Sequence, residues 1–150
     1  MSNLEIVLAA LKAWENRDIA AAEALTADDM TVLGPAPQPL PKAAYLTFQQ
    51  VHNDAFGDWK FNVTNAREEG DTVYVNFQIT ATHTGPFDVS KLGIPLAPLP
   101  ASGKHRAWPP ESLTATVRDG KITQLHIMTA KGGGVIGTLE WLGAPVPAMA

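Results

Sequence analysis

Cysteine is absent from the 150 residues, which excludes disulfides, thiolate metal ligands and a cysteine nucleophile. Charged residues make up only 17% of the chain, and 11 lysines and arginines are spread thinly along it at a net charge of −4. Nucleic-acid binding requires a basic patch, so we expect no nucleic-acid partner. No apolar run approaches the length of a membrane span, and we expect no membrane partner.

The start of the chain also lacks the features of a secretory signal. Its first 18 residues have no basic opening and no small-residue cleavage site, and they are typical of an amphipathic helix. We therefore expect a cytoplasmic protein. A hydrophobic fraction of 45% in 150 residues predicts one globular domain over residues 1–150, large enough to bury a core and leave a pocket.

Three helices are predicted in the first part of the chain. Ser2 and Glu5 have the spacing of a capping box, and Asp18 can cap a second helix. A third helix is expected from about Lys42 to Asp54, after a proline-rich segment over residues 34–41. One side of this third helix carries Tyr45, Phe48 and His52.

The second half of the chain alternates apolar and polar residues, which predicts antiparallel strands. We expect a three-residue loop, Glu69 to Asp71, that pairs Val63 with Phe77. The same register pairs Phe61 with Ile79 and Trp59 with Ala81. Helices followed by a meander of long strands predict the α+β class, in which a strongly curved sheet around a long helix leaves a conical pocket.

A second hairpin is predicted around Asp119-Gly120, a two-residue type I′ turn. This turn would pair Val117 with Ile122, Ala115 with Gln124 and Leu113 with His126. Between the hairpins, residues 85–110 are rich in proline and glycine and predict a long loop that is either a lid or a dimer arm. Residues 143–150 are expected to form a flexible tail.

These registers place His83, His126 and Gln124 on the same faces as apolar residues. If those faces point inward, the two imidazoles converge on one pocket, where desolvation lowers a histidine pKa and suits it to acid–base catalysis. Each histidine could instead be a hydrogen-bonded core residue. The predicted catalytic residues are His126 and His83. The predicted ligand-binding residues are Gln124, Trp59, Phe77, Tyr45, Trp14, Phe61 and Met128.

Neither a metal nor a cofactor is predicted. The histidines show no H-x-H or H-x₃-H spacing and no carboxylate at ligand spacing. The triple glycine at residues 132–134 lacks the following Lys-Ser/Thr of a phosphate loop.

Several short segments resemble the SnoaL-like branch of the NTF2-like superfamily, which includes polyketide cyclases and ester cyclases. They are residues 14–18, 24–29, 55–59, 69–71, 81–87, 93–95, 102–104 and 118–122. The resemblance spans nearly the whole chain and implies an NTF2-like cone, with three N-terminal helices packed on a mainly antiparallel sheet. It also implies a homodimer formed through the outer sheet face, where we expect Leu125 and Ile127.

Cyclases of this family close rings by an aldol step without a cofactor, using a carboxylate on the last long strand. In the family pattern this carboxylate follows the D-G-K-I turn as E-H-W-D. The matching stretch here is Gln124 to Ile127, and the aspartate is missing. The histidine of the family's T-H-T-G segment is present as His83.

Two functions remain open from the sequence. The first is a cofactor-independent cyclase, isomerase or lyase that acts on a small apolar carbonyl compound, with His126 as the acid–base group and His83 and Gln124 orienting the substrate oxygen. The second is non-catalytic binding of an apolar ligand by a dimeric scaffold.

Overall fold

The computed structural model describes residues 1–36 and 38–145. Most of the predicted flexible tail, residues 146–150, lies outside the described residues. Over these described ranges, four α-helices and eight strands form an α+β fold, in which a large curved sheet wraps around the N-terminal helices. Within the described residues, no helix is both long and apolar enough to cross a membrane.

The helices begin where the sequence signals predict. Helix α1 has its capping box in place, because the Ser2 hydroxyl accepts from the Glu5 backbone N–H and the Glu5 carboxylate accepts from the Ser2 N–H, each at 3.1 Å. Asp18 caps α2 by accepting from Ala21 N–H at 3.1 Å. A fourth helix, α4, follows the last strand. The bounds are α1 Asn3–Glu15, α2 Ile19–Leu25, α3 Lys42–Ala55 and α4 Gly134–Trp141.

The six strands of the main sheet are β1 Thr26–Leu33, β2 Leu40–Pro41, β3 Val63–Glu69, β4 Thr72–Phe77, β7 Glu111–Arg118 and β8 Lys121–Met128. Their order is β2-β1-β8-β7-β4-β3, and all pairs are antiparallel except β1 with β8. Strands β5 Thr80–Thr82 and β6 His105–Ala107 form a separate two-stranded sheet. The predicted mainly antiparallel sheet is therefore confirmed.

For the first hairpin, the predicted loop length is wrong, but the predicted strand register is correct. Glu69 pairs directly with Thr72, so the loop has two residues and not three. Val63 still pairs with Phe77, because a bulge at Thr64 shifts the register by one residue. An isolated bridge between Lys60 and Thr80 continues that register.

In the second hairpin a bulge overturns the predicted register. The turn at Asp119-Gly120 and the pair Val117–Ile122 are confirmed. Beyond them the register shifts, so that Ala115 pairs with Leu125 and Leu113 with Ile127. Because strand side chains alternate between faces, the shift turns Leu125 and Ile127 inward, and their predicted place on the outer face is wrong.

Residues 85–110 fold back on the same domain. They contain a short 3₁₀ helix, η1 Val89–Leu92, as well as strand β6. Phe87 pairs with Leu99, and Phe87, Ile94 and Trp108 are all buried. The segment thus contributes large side chains to the core.

Buried polar contacts join α3 to the end of α1. The Asn53 side chain donates to the Trp14 carbonyl at 2.9 Å and accepts from the Gln49 amide at 2.7 Å. Asn53→Ala would leave both partners buried without these bonds, so we expect the free energy of unfolding to fall by about 2 kcal/mol. Asn76→Ala, on the exposed surface of β4, should change it by less than about 0.5 kcal/mol. Urea unfolding tests the difference, and equal effects would contradict it.

Candidate functional site

A mostly apolar inner cavity of about 60 Å³ lies between the concave face of the sheet and helices α1, α3 and α4. Five of the seven predicted ligand-binding side chains line it: Trp14, Tyr45, Trp59, Phe61 and Phe77. They come from α1, α3, the segment before β3, and β4. Leu125 and Ile127, turned inward by the bulge in β8, complete the sheet side of the wall.

A wider space of about 490 Å³, here called the vestibule, adjoins the inner cavity. It lies between the loop after β1, helix α3, η1 and the start of α4. Four residues belong to the walls of both spaces, namely Pro35, Phe48, Thr129 and Gly134. Among the described residues that line the vestibule, Lys91 is the one ionisable residue. The two spaces together have the concave, mostly apolar character of a small-molecule site.

His52 is a titratable group in the wall of the inner cavity. Its Nδ1 lies 2.8 Å from the Phe48 carbonyl oxygen, which can only accept. Nδ1 therefore carries the proton in the neutral ring, and Nε2 carries a free lone pair. The ring packs against Phe48, Trp59 and Phe87, with centroids 4.4, 5.4 and 5.2 Å away. This burial lowers the pKa of His52 to about 4.

The lowered pKa makes stability depend on pH. The unfolded chain binds a proton at His52 near pH 6.5 but the folded chain only near pH 4, so acid favours unfolding between these values. From pH 7.5 to pH 5 we expect the wild type to lose about 2 kcal/mol more stability than His52→Phe, which keeps an aromatic ring. Urea unfolding at the two pH values tests this, and parallel losses would contradict it.

Two indole groups of the cavity residues lack hydrogen-bond acceptors. Trp14 Nε1 and Trp59 Nε1 are buried, and neither has a partner within the described part of the chain. A buried donor without an acceptor is costly, so an oxygen placed within reach of either indole would be stabilised.

Glu111 supplies a carboxylate to the same wall. It is the first residue of β7 and shares the inward face with Leu113. Its Oε2 accepts from the Ala130 N–H at 2.8 Å. Burial raises the pKa of Glu111, although this hydrogen bond and the positive charge of Arg106 act in the opposite direction.

His83 is buried, as predicted, but it is not part of the cavity wall. Its ring packs on Phe56 at 5.3 Å, and its Nδ1 accepts from the Ser102 N–H at 3.2 Å. Desolvation lowers the pKa of His83, while the backbone carbonyls of Gly85 and Leu99 favour the protonated form. His83, the residue after β5, thus holds Ser102 of the 85–110 segment beside that strand.

The predicted inward positions of Gln124, His126 and Met128 are wrong. The bulge in β8 places these side chains on the convex face of the sheet, where His126 and Met128 are exposed and Gln124 is half-buried. The two histidines selected from the sequence therefore do not share a pocket. Residues 1–36 and 38–145 also contain no cluster of three histidine, aspartate or glutamate residues suited to a metal ion.

Comparison with known families identifies the fold. The profile of the SnoaL-like domain matches residues 7–125, so the chain belongs to the SnoaL-like family. This family and its NTF2-like cone agree with the resemblance seen in the sequence. No curated protein matches the chain significantly.

Solved structures share the fold over nearly the whole chain. IdmH from Streptomyces antibioticus, provisionally described as a polyketide cyclase, is 19% identical with a TM-score of 0.72 and covers 96% of this chain and 100% of its own. AclR from Streptomyces galilaeus, provisionally described as a hydroxylase, is 20% identical with a TM-score of 0.71 and coverages of 94% and 95%. A third protein, from Xanthomonas campestris pv. campestris and provisionally described as a polyketide cyclase, is 23% identical with a TM-score of 0.67 and coverages of 95% and 98%. At these identities the similarity establishes the fold, and function has to be argued from the site.

Proposed function

We propose that the protein binds a small, mostly apolar carbonyl compound in the inner cavity and the vestibule, and catalyses proton transfer next to the carbonyl group without a cofactor. Such a step underlies isomerisation, lyase and ring-closing reactions alike. The observation that carries this proposal is the neutral imidazole of His52 in the wall of the apolar cavity. Two neighbouring residues of this wall, Trp14 and Trp59, have indole donors without acceptors among the described residues.

His52 has the properties of a general base in this role. Nδ1 is held by the Phe48 carbonyl, which leaves the Nε2 lone pair available. A pKa of about 4 gives the ring the basicity of an ionised carboxylate, the kind of base that other enzymes use to remove a proton next to a carbonyl group. His52 thereby offers a base from α3, whereas the aspartate of the family pattern is absent from β8.

The proposed step is enolisation. Nε2 of His52 takes the proton from the carbon next to the carbonyl, the electrons of that C–H bond form a carbon–carbon double bond, and the carbonyl π electrons move to oxygen. Indole N–H donation from Trp14 or Trp59 would stabilise the negative charge that develops on this oxygen. The inner cavity is small, so it would hold the reacting carbonyl end while the vestibule holds the remaining apolar part.

Deuterium exchange into 2-tetralone in D₂O, followed by proton NMR, tests the proposal without knowledge of the natural substrate. We expect the wild type to accelerate exchange over the uncatalysed rate. In His52→Phe this acceleration should be smaller by a factor of about 100 or more. His126→Phe is the matched control, because it makes the same substitution on the convex face and should leave the rate unchanged. No acceleration by the wild type, or a loss confined to His126→Phe, would refute the role of His52.

A second candidate function is binding without catalysis. It is favoured by Ile127, an apolar side chain in the cavity wall at the strand position where the family pattern has its carboxylate. In that case 2-tetralone should raise the melting temperature, while the exchange rate stays at its uncatalysed value.

We also propose that the protein forms a homodimer through the convex face of β7 and β8. The middle of this face carries uncharged side chains, including Thr114, Thr116 and Gln124. Sedimentation velocity should show a dimer that Thr116→Arg dissociates, and a wild-type monomer would disprove the proposal.

A further inference from the structure

We propose that Glu111 is a second proton-transfer group of the cavity, which donates its carboxyl proton to the substrate oxygen while His52 removes the proton from carbon. This inference rests on the proposed function and adds an acid to its base. The proton balance is complete: the substrate loses a proton from carbon to His52 and gains one on oxygen from Glu111. The products are a neutral enol, an imidazolium and a carboxylate.

The position of Glu111 supports this role. Inward-facing residues of β7 recur at every second position, and Glu111 is two residues before Leu113, which also lines the inner cavity. Leu113 pairs with Ile127 of β8, which also lines the inner cavity. Glu111 therefore brings a carboxyl group to the same wall from the neighbouring strand.

The surroundings of Glu111 fix one of its oxygens. Oε2 accepts from the Ala130 N–H at 2.8 Å, and it lies so close to Gly133 that a Cβ at that position would be 2.6 Å from it. The glycine thus makes room for the carboxyl group at the start of α4. The other oxygen, Oε1, has no hydrogen-bond partner within the described part of the chain, which leaves it available to a ligand.

No cation within the described residues pairs with Glu111. The nearby Arg106 guanidinium stacks over the rings of Trp108 and Trp141, at 5.0 and 5.5 Å, and donates to the Gly132 carbonyl at 2.8 Å. It is not within ion-pair distance of Glu111. The other titratable groups in the cavity wall are His52 and Tyr45 of α3. Partial burial in a mostly apolar cavity, without a cation partner among the described residues, raises the pKa of the Glu111 carboxyl group and so favours its proton-bearing form.

A purely structural role must be separated from the proposed one, because Glu111 also anchors the turn at Ala130. Glu111→Gln is suited to this purpose, since its amide oxygen can still accept from the Ala130 N–H while the group can no longer transfer a proton. A structural role would leave both the exchange rate and its pH profile unchanged in this variant.

The experiment is the pH profile of 2-tetralone exchange for the wild type, Glu111→Gln and Glu111→Asp. In the wild type we expect kcat/KM to fall at low pH as His52 is protonated and at high pH as Glu111 ionises. Glu111→Gln should be about 100-fold slower at the optimum and should lack the alkaline decline. Glu111→Asp keeps an acid, so it should recover part of the rate and show the alkaline decline at a displaced pH.

The outcomes distinguish this inference from the proposed function. Exchange by the wild type with an unaltered rate and profile in Glu111→Gln would overturn the role of Glu111 and leave that of His52 intact. An alkaline decline at an unmoved pH in Glu111→Asp would overturn it as well, even if Glu111→Gln does not fold. Absence of wild-type exchange would overturn both.

Discussion

Trp108→Ala should lower the free energy of unfolding by about 4 kcal/mol. Trp108 is only 2% exposed and lies at the centre of an aromatic cluster, with ring centroids of Phe56, Trp59 and Trp141 between 5.3 and 5.9 Å away. Its Nε1 donates to the Thr138 hydroxyl at 3.0 Å and thereby joins the segment before β7 to α4. Alanine would remove the ring contacts, leave a cavity and break this hydrogen bond.

Trp108→Phe separates these contributions. Phenylalanine retains an aromatic ring but cannot donate to Thr138, so we expect a loss of about 1–2 kcal/mol. Urea unfolding at pH 7.5 measures both variants against the wild type. A loss in the alanine variant no greater than that in the phenylalanine variant would show that the ring contacts contribute little.

Sequence patterns that span only a few residues correctly predicted the starts of two helices and the position of one hairpin turn. The capping box of Ser2 and Glu5 and the Asp18 cap depend on hydrogen bonds within one helical turn. The Asp119-Gly120 turn depends on two residues that readily adopt positive φ, found here at 53° and 76°. The sequence therefore predicts where these helices begin and where this hairpin turns.

Bulges limited the prediction of strand register. Strict alternation from the Asp119-Gly120 turn would direct His126 inward, but an extra residue at Thr123 reverses the faces beyond it. A signal was present, because the branched apolar residues of β8 occur at Ile122, Leu125 and Ile127, a spacing of three and then two. That change of spacing indicates a bulge, and it predicts which side chains of β8 point inward more directly than the position of the turn does.

The candidate site was only partly predictable for the same reason. Its aromatic wall follows from apolar periodicity, which places Tyr45, Phe48 and His52 on one face of α3. The lowered pKa of His52, in contrast, depends on Trp59 and Phe87, which reach it from distant parts of the chain. Glu111 lies on the inward face by alternation with Leu113, but whether a carboxylate at a strand end reaches a cavity depends on how the sheet curves.

The contact between the end of β1 and β8 should be highly sensitive to an added methyl group. Gly34 has φ of +109°, and a Cβ built on it would overlap the carbonyl oxygen of Ile127. Because the obstructing atom belongs to the backbone of the central strand β8, it cannot move aside as a flexible side chain would. Gly34→Ala should therefore lower the free energy of unfolding by about 3 kcal/mol or more.

Gly103→Ala is the matched control for the steric part of this effect. Gly103 also has positive φ, +73°, but nothing lies within 4 Å of its added Cβ, so only the backbone strain of about 1 kcal/mol is expected. Gly34 also lines the vestibule, so Gly34→Ala should weaken the binding of 2-tetralone, measured by its shift of the melting temperature, whereas Gly103→Ala should not. Equal destabilisation by the two substitutions would show that β1 can move away from β8 at Gly34 without a further loss in the free energy of unfolding. The vestibule would then lack the rigid edge that the proposed binding requires.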